Sequence, residues 1–203
     1  MLRNRTGSER AGMMTALRAR HPGLREAVLA DAKVTAAYRG ERHEFRSRAD
    51  AALQVLRLMW VADAFLAQAL YRVKASLQRR GVPVLPRLAH RAAMALAQVS
   101  IGDPVVMAPG VYIVHGQVVI DGVVDIASGV VIAPWVTVGL RAGIVRGPNI
   151  EAGVSIGTGA KVIGPITVGA GAQVGANAVV VRDVGAGATV VGAPARPVDA
   201  ASG

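Results

Sequence analysis

From Val99 onward the chain repeats with a period of six residues, and few folds accept such a period. Aliphatic anchors stand at Ile101, Met107, Ile113 and Val119, and a one-residue slip at Asp125 resets the series to Ile126, Ile132 and Val138. After an interruption it resumes at Ile150, Ile156, Val162, Val168, Val174 and Val180. Eight of these anchors are followed directly by Gly or Ala, which suits a very short strand with one inward aliphatic and then a tight corner. Three hexads make one coil of a parallel β-helix, and coils stack at about 4.8 Å through strand hydrogen bonds. About five coils fit between Val99 and Val191. An antiparallel domain of short strands is the weaker reading, because strand and turn spacing there is less regular.

The preceding residues are a different polymer. Residues 1–98 hold 18 of the 23 basic and 7 of the 13 acidic residues, giving that half a charge of +11 and the rest −1. Across all 203 residues, 52% hydrophobic against 18% charged excludes intrinsic disorder as a description of the whole. Residues 1–13 are expected as a disordered tail, and residues 14–98 as a helical region with helices over 14–38, 48–80 and 86–98. Leu53, Leu56, Trp60, Ala64 and Tyr71 recur at helical spacing, and Gly81 and Pro83 stop the second helix. The most apolar stretch, LRLMWVADAFLAQALYRV, is interrupted by Arg57, Asp63, Gln68 and Arg72, so it reads as a buried amphipathic helix and predicts no membrane insertion. No signal peptide is expected at the polar, basic start, which predicts a cytoplasmic protein. The fold class expected is α+β, with the parallel β-helix and its C-terminal tail over 99–198.

No cysteine is present, which excludes disulfides, zinc–thiolate sites and thiol catalysis, and no metal site is expected. The hexads, and above all the run GTGAKVIGPITVGAGAQVGANAVVVRDVGAGATVVGAPAR, resemble the serine acetyltransferase family of left-handed β-helix acyltransferases. That resemblance implies a left-handed coil, acetyl-CoA lying in a groove between neighbouring subunits of a trimer, and a histidine acting as general base on the acceptor hydroxyl. His115, in GVYIVHGQVVI, matches the family's catalytic histidine. Imidazole suits the task, since its unperturbed pKa of about 6.5 leaves it largely neutral and basic at pH 7. His21, His43 and His90 lie in the helical half and read as ordinary packing or surface residues.

The same resemblance implies cofactor-binding roles for Gly139, Thr158, Gly159, Ala176, Arg182 and Arg196. Small corner residues let pantetheine approach the backbone, and guanidinium suits the CoA phosphates. Gly139 is the candidate to offer a backbone N–H to the thioester oxygen. Ser100 and Arg146 take the substrate side, and here the chain departs from the family. Ser100 stands where the serine-specific enzymes carry an aspartate, Val114 where an acidic residue precedes the histidine, and Gly147 of Arg146-Gly147-Pro148 where a second histidine is found. Carboxylates at the first two positions would hold the serine ammonium, so their loss weakens the case for serine.

Three functions follow in order. The first is an acetyl-CoA-dependent O-acetyltransferase acting on a small hydroxylated substrate. Sugar or polysaccharide O-acetyltransferases of the same fold are an equally similar alternative, and a catalytically silent CoA-binding scaffold is another. Nucleic acid is not expected as a partner despite the charge, because aromatics for base stacking are scarce. A homotrimer is expected, with a dimer of trimers through apolar helix faces as its alternative.

Overall fold

A computed structural model describes residues 7–198. Five helices come first: α1 (Gly7–Ala19), α2 (Leu24–Tyr38), α3 (Arg48–Val61), α4 (Asp63–Arg79) and α5 (Leu85–Ala97). The expected tail over 1–13 is therefore helical from Gly7, because α1 buries Leu17 on the helical layer; residues 1–6 lie outside the described residues. Pro22 and Gly23 divide the expected 14–38 helix. Ser47 caps α3 by accepting a hydrogen bond from the Asp50 N–H at 3.1 Å.

The expected helix over 48–80 is broken at Ala62, whose extended backbone (φ −134°, ψ 95°) bends α3 against α4 by 119°. The bend overturns part of the burial pattern expected there. Ala64 and Tyr71 on α4 are buried, whereas Leu53, Leu56 and Trp60 on α3 face outward, Trp60 at 88% exposure. Among the described residues no single helix is long and apolar enough to cross a membrane, although the bent α3/α4 pair meets that measure by length and composition.

Fifteen short strands follow. The first coil is β1 (Val99–Ile101), β2 (Val106–Met107) and β3 (Tyr112–Ile113), and the second is β4 (Val118–Ile120), β5 (Val123–Ile126) and β6 (Val131–Ile132). The third is β7 (Thr137–Gly139), β8 (Arg146–Ile150) and β9 (Ser155–Ile156), and the fourth is β10 (Lys161–Ile163), β11 (Thr167–Val168) and β12 (Gln173–Val174). The fifth has β13 (Val179–Val180), a bridge at Val184 and β14 (Thr189–Val191), onto which β15 (Arg196–Val198) folds back antiparallel.

Every third strand pairs in parallel, so the coils present three flat faces: β1-β4-β7-β10-β13 as face 1, β2-β5-β8-β11 as face 2, and β3-β6-β9-β12-β14 as face 3. This is the parallel β-helix of about five turns that the hexads announced. Its interior is a column of Val, Ile, Met and Ala from Val99 to Val190, nearly all fully buried. One anchor differs from expectation. Val119 is exposed while Val118 and Ile120 are buried, and Ile101 pairs with Ile120. The slip thus lies one strand earlier than Asp125, in the corner 114–117 that carries His115.

The first coil leaves backbone carbonyls with no earlier coil to bond, and α4 covers them. Gln68 Nε2 donates to the Val111 carbonyl at 2.9 Å, Tyr71 Oη to Val105 at 2.8 Å, Arg72 to Met107 and to Ala108 at 2.5 and 2.7 Å, and Lys74 Nζ to Ile101 at 2.5 Å. All four side chains are buried. Buried carbonyls need partners, and a bond to a charged donor contributes about 1.5–3 kcal/mol. Polar side chains of α4 are thus the plug of the solenoid.

Candidate active site

The corners between faces 3 and 1 stack in one column along the solenoid. Register pairs Val99 with Val118, Val119 with Thr137, and Thr137 with Lys161, which in turn pairs with Val179. The residues just before these strands therefore lie over one another: Gln98, Gln117, Trp135, Gly159 and Asn177. Each has a positive φ, between 54° and 75°. Cross-coil bonds lock the column, with the Gly159 N–H donating to the Pro134 carbonyl at 2.9 Å and the Asn177 N–H to the Thr158 carbonyl at 2.8 Å.

His115 sits in this column, in the β3–β4 corner, and is exposed. Gly116 beside it has no room for a side chain, since a Cβ there would collide with the Ala97 carbonyl. Ser100 is half-buried on β1 and pairs with Val119, and Val114 is half-buried. Neither position supplies a carboxylate to the histidine.

Thr158, Gly159 and Ala176 fall in the same column as His115, two and three coils further along. Their corners are built for close approach: a Cβ on Gly157 would stand 2.7 Å from the Ala176 nitrogen, and one on Gly159 would collide with the Asn177 amide. Arg182 and Arg196 are brought together at the far end, where both line a cleft of about 150 Å³ with Val180, Val184, Val190 and Pro197. Both arginines are exposed there.

Gly139 and Arg146 are elsewhere. They flank the segment 140–145 at the corner between faces 1 and 2, the opposite end of the face-1 strands from His115. Gly139 is buried, and its carbonyl accepts the Gly164 N–H at 3.0 Å. Arg146 is exposed, while Gly147 is packed so that a Cβ would lie 2.6 Å from Val124 Cγ2.

The other histidines belong to the helical layer. His21 is buried against Tyr71, and burial, with the positive charges of Arg72, Arg79, Lys74 and Arg20, lowers its pKa to about 4. Burial also lowers that of His90. Among the described residues no His, Asp and Glu side chains cluster as a metal site would require. Sequence reasoning missed Gln117 and Trp135; the signal available was their place in the column once the slip is set correctly.

No protein-family model matches the chain, and no curated protein does. Solved structures do. A soybean serine acetyltransferase complexed with serine is 32% identical, with a TM-score of 0.72, covering 89% of this chain and 71% of that one. A serine acetyltransferase in complex with CoA is 26% identical (TM-score 0.68; 84% and 68% covered), and one in complex with cysteine is 27% identical (TM-score 0.70; 84% and 65% covered). The chain thus spans about two thirds of the length of these enzymes. At 32% identity over 89% of this chain and 71% of the soybean enzyme, the chain belongs to the serine acetyltransferase-like family of left-handed β-helix acyltransferases.

Proposed function

We propose that the protein is an acetyl-CoA-dependent O-acetyltransferase acting on a small hydroxylated acceptor. The observation that carries this reading is the shared column of His115, Thr158–Gly159 and Ala176–Asn177, a base at one end and small-residue corners two and three coils beyond it. A pantetheine arm laid along those far corners points its thioester toward His115 across the corner of Trp135, where the acceptor would stand between thioester and base, and its phosphates meet Arg182 and Arg196 near the shared cleft. The solved relative that binds CoA supports the choice of donor.

In the reaction, the neutral imidazole takes the acceptor's hydroxyl proton as the oxygen attacks the thioester carbon. The C–S bond then breaks, the proton passes to the departing sulfur, and an ester and free CoA are left. Gly139 would stabilise the oxyanion and Arg146 the acceptor only from a second copy, because both stand at the other end of face 1 from His115. A homotrimer with three shared sites is the assembly this requires.

Serine is disfavoured as acceptor. Ser100 and Val114 offer no negative charge to an ammonium, and leaving that charge unpaired opposes binding. Release of free thiol from acetyl-CoA in the presence of serine, methyl glycosides and simple alcohols tests the proposal. Acceptor-dependent release is expected; acetyl-CoA binding with no release for any acceptor would leave the silent scaffold instead.

A further inference from the structure

The column next to His115 holds four non-glycine residues in the left-handed conformation, Gln98, Gln117, Trp135 and Asn177, and Trp135 is the bulkiest of them. At the corner between faces 2 and 3 the left-handed conformation falls to glycine in every coil, at Gly110, Gly129, Gly153, Gly171 and Gly187. At the corner between faces 3 and 1 the third-coil residue is Trp135, at φ 65°. A bulky side chain in that region is a true outlier, and such strain gathers at functional positions. Burial does not compensate for it, because Trp135 is 56% exposed.

The backbone of this corner is held by two hydrogen bonds. Lys161 Nζ donates to the Trp135 carbonyl at 2.6 Å, and the Gly159 N–H donates to the neighbouring Pro134 carbonyl at 2.9 Å. Register places Trp135 directly after Gln117 in the column, one coil from the corner of His115.

We propose that Trp135 is the platform for the acceptor, and that the acceptor is a sugar: the apolar face of a pyranose ring lies on the indole and a ring hydroxyl is presented to His115. This rests on the acetyltransferase reading above. A rigid aromatic plane suits a ring with one apolar face, whereas the pantetheine arm is a flexible chain with no matching plane. Trp also attracts cations, but the absence of carboxylates at Ser100 and Val114 opposes a cationic acceptor.

Trp135→Gly removes the plane and suits the backbone, so the variant is expected to fold at least as well as the wild type. With methyl glucoside and methyl galactoside as acceptors, its acceptor KM should rise about tenfold while its acetyl-CoA KM stays within twofold, and Trp135→Phe should recover most of the loss. A second readout does not depend on catalysis. Trp60 is the only other tryptophan, so in a Trp60→Phe background the fluorescence of Trp135 should change on titration with the glycosides but not with serine or choline. An unchanged acceptor KM, a rise in the acetyl-CoA KM instead, or turnover of serine or choline without any glycoside would each overturn the proposal. If acetyl-CoA itself is not bound, the acetyltransferase reading falls, and the fluorescence titration still decides whether Trp135 holds a sugar.

Discussion

Arg72 on α4 grips Asp31 on α2 with two hydrogen bonds, 2.8 Å from Nε and 3.2 Å from Nη2, and both side chains are almost wholly buried. The same guanidinium reaches the Met107 and Ala108 carbonyls, and Asp31 accepts the Gly110 N–H at 2.8 Å. One ion pair thereby ties two helices to the first coil.

Removing the carboxylate should expose what that tie is worth. Asp31→Asn keeps the volume but leaves the Arg72 charge buried and uncompensated, and breaking a buried pair this way costs about 3–5 kcal/mol. Urea unfolding should show a loss of that size. A loss below about 1 kcal/mol would mean that the helical layer is not anchored through Arg72.

Much of this architecture was legible in the sequence. Each inward aliphatic of the solenoid occupies its own hexad position, so the coils could be counted before any contact was known. The slip was misplaced by one strand because Val118, Val119 and Ile120 are all aliphatic, and only the extra residue in the His115 corner decides which of them points inward. Ala62 carries no break signal of its own, so the α3–α4 bend and the exposure of Trp60 were hidden. The roles of Gln68, Arg72 and Lys74 were hidden for another reason: their partners are carbonyls of the first coil, and main-chain acceptors leave no mark in a sequence.

Acid should weaken the fold through His21. Its pKa is near 4 in the native chain and returns to about 6.5 on unfolding, so between those values the unfolded state binds a proton that the native state does not. Stability is therefore full above about pH 6.5 and declines as the pH falls toward 4, by about 2–3 kcal/mol over the window at 1.36 kcal/mol per pKa unit. His21→Leu should flatten this decline when unfolding is followed at pH 7 and pH 4.5. An equal decline in both proteins would assign the acid sensitivity to other groups.

Cofactor affinity should depend on the two arginines of the terminal cleft. Arg182→Ala and Arg196→Ala should each weaken acetyl-CoA binding by about tenfold if their phosphate contacts are desolvated, and by less where water reaches them. Calorimetry on both variants measures this, and unchanged affinity in both would leave only backbone contacts to hold the cofactor.

The proposed shared site predicts a trimer in solution, since within one chain Gly139 and Arg146 stand at the other end of face 1 from His115. Light scattering at micromolar concentration should give three times the 20.9 kDa chain mass. A stable monomer would contradict the shared site.

The most direct test is acetyl transfer by His115→Ala. With acetyl-CoA and the best acceptor found, the variant should turn over about 10²–10⁴-fold more slowly than the wild type, the usual contribution of a positioned acid–base group, while binding acetyl-CoA with nearly the wild-type Kd. Full acetyl transfer by His115→Ala would contradict general-base catalysis from the second-coil corner.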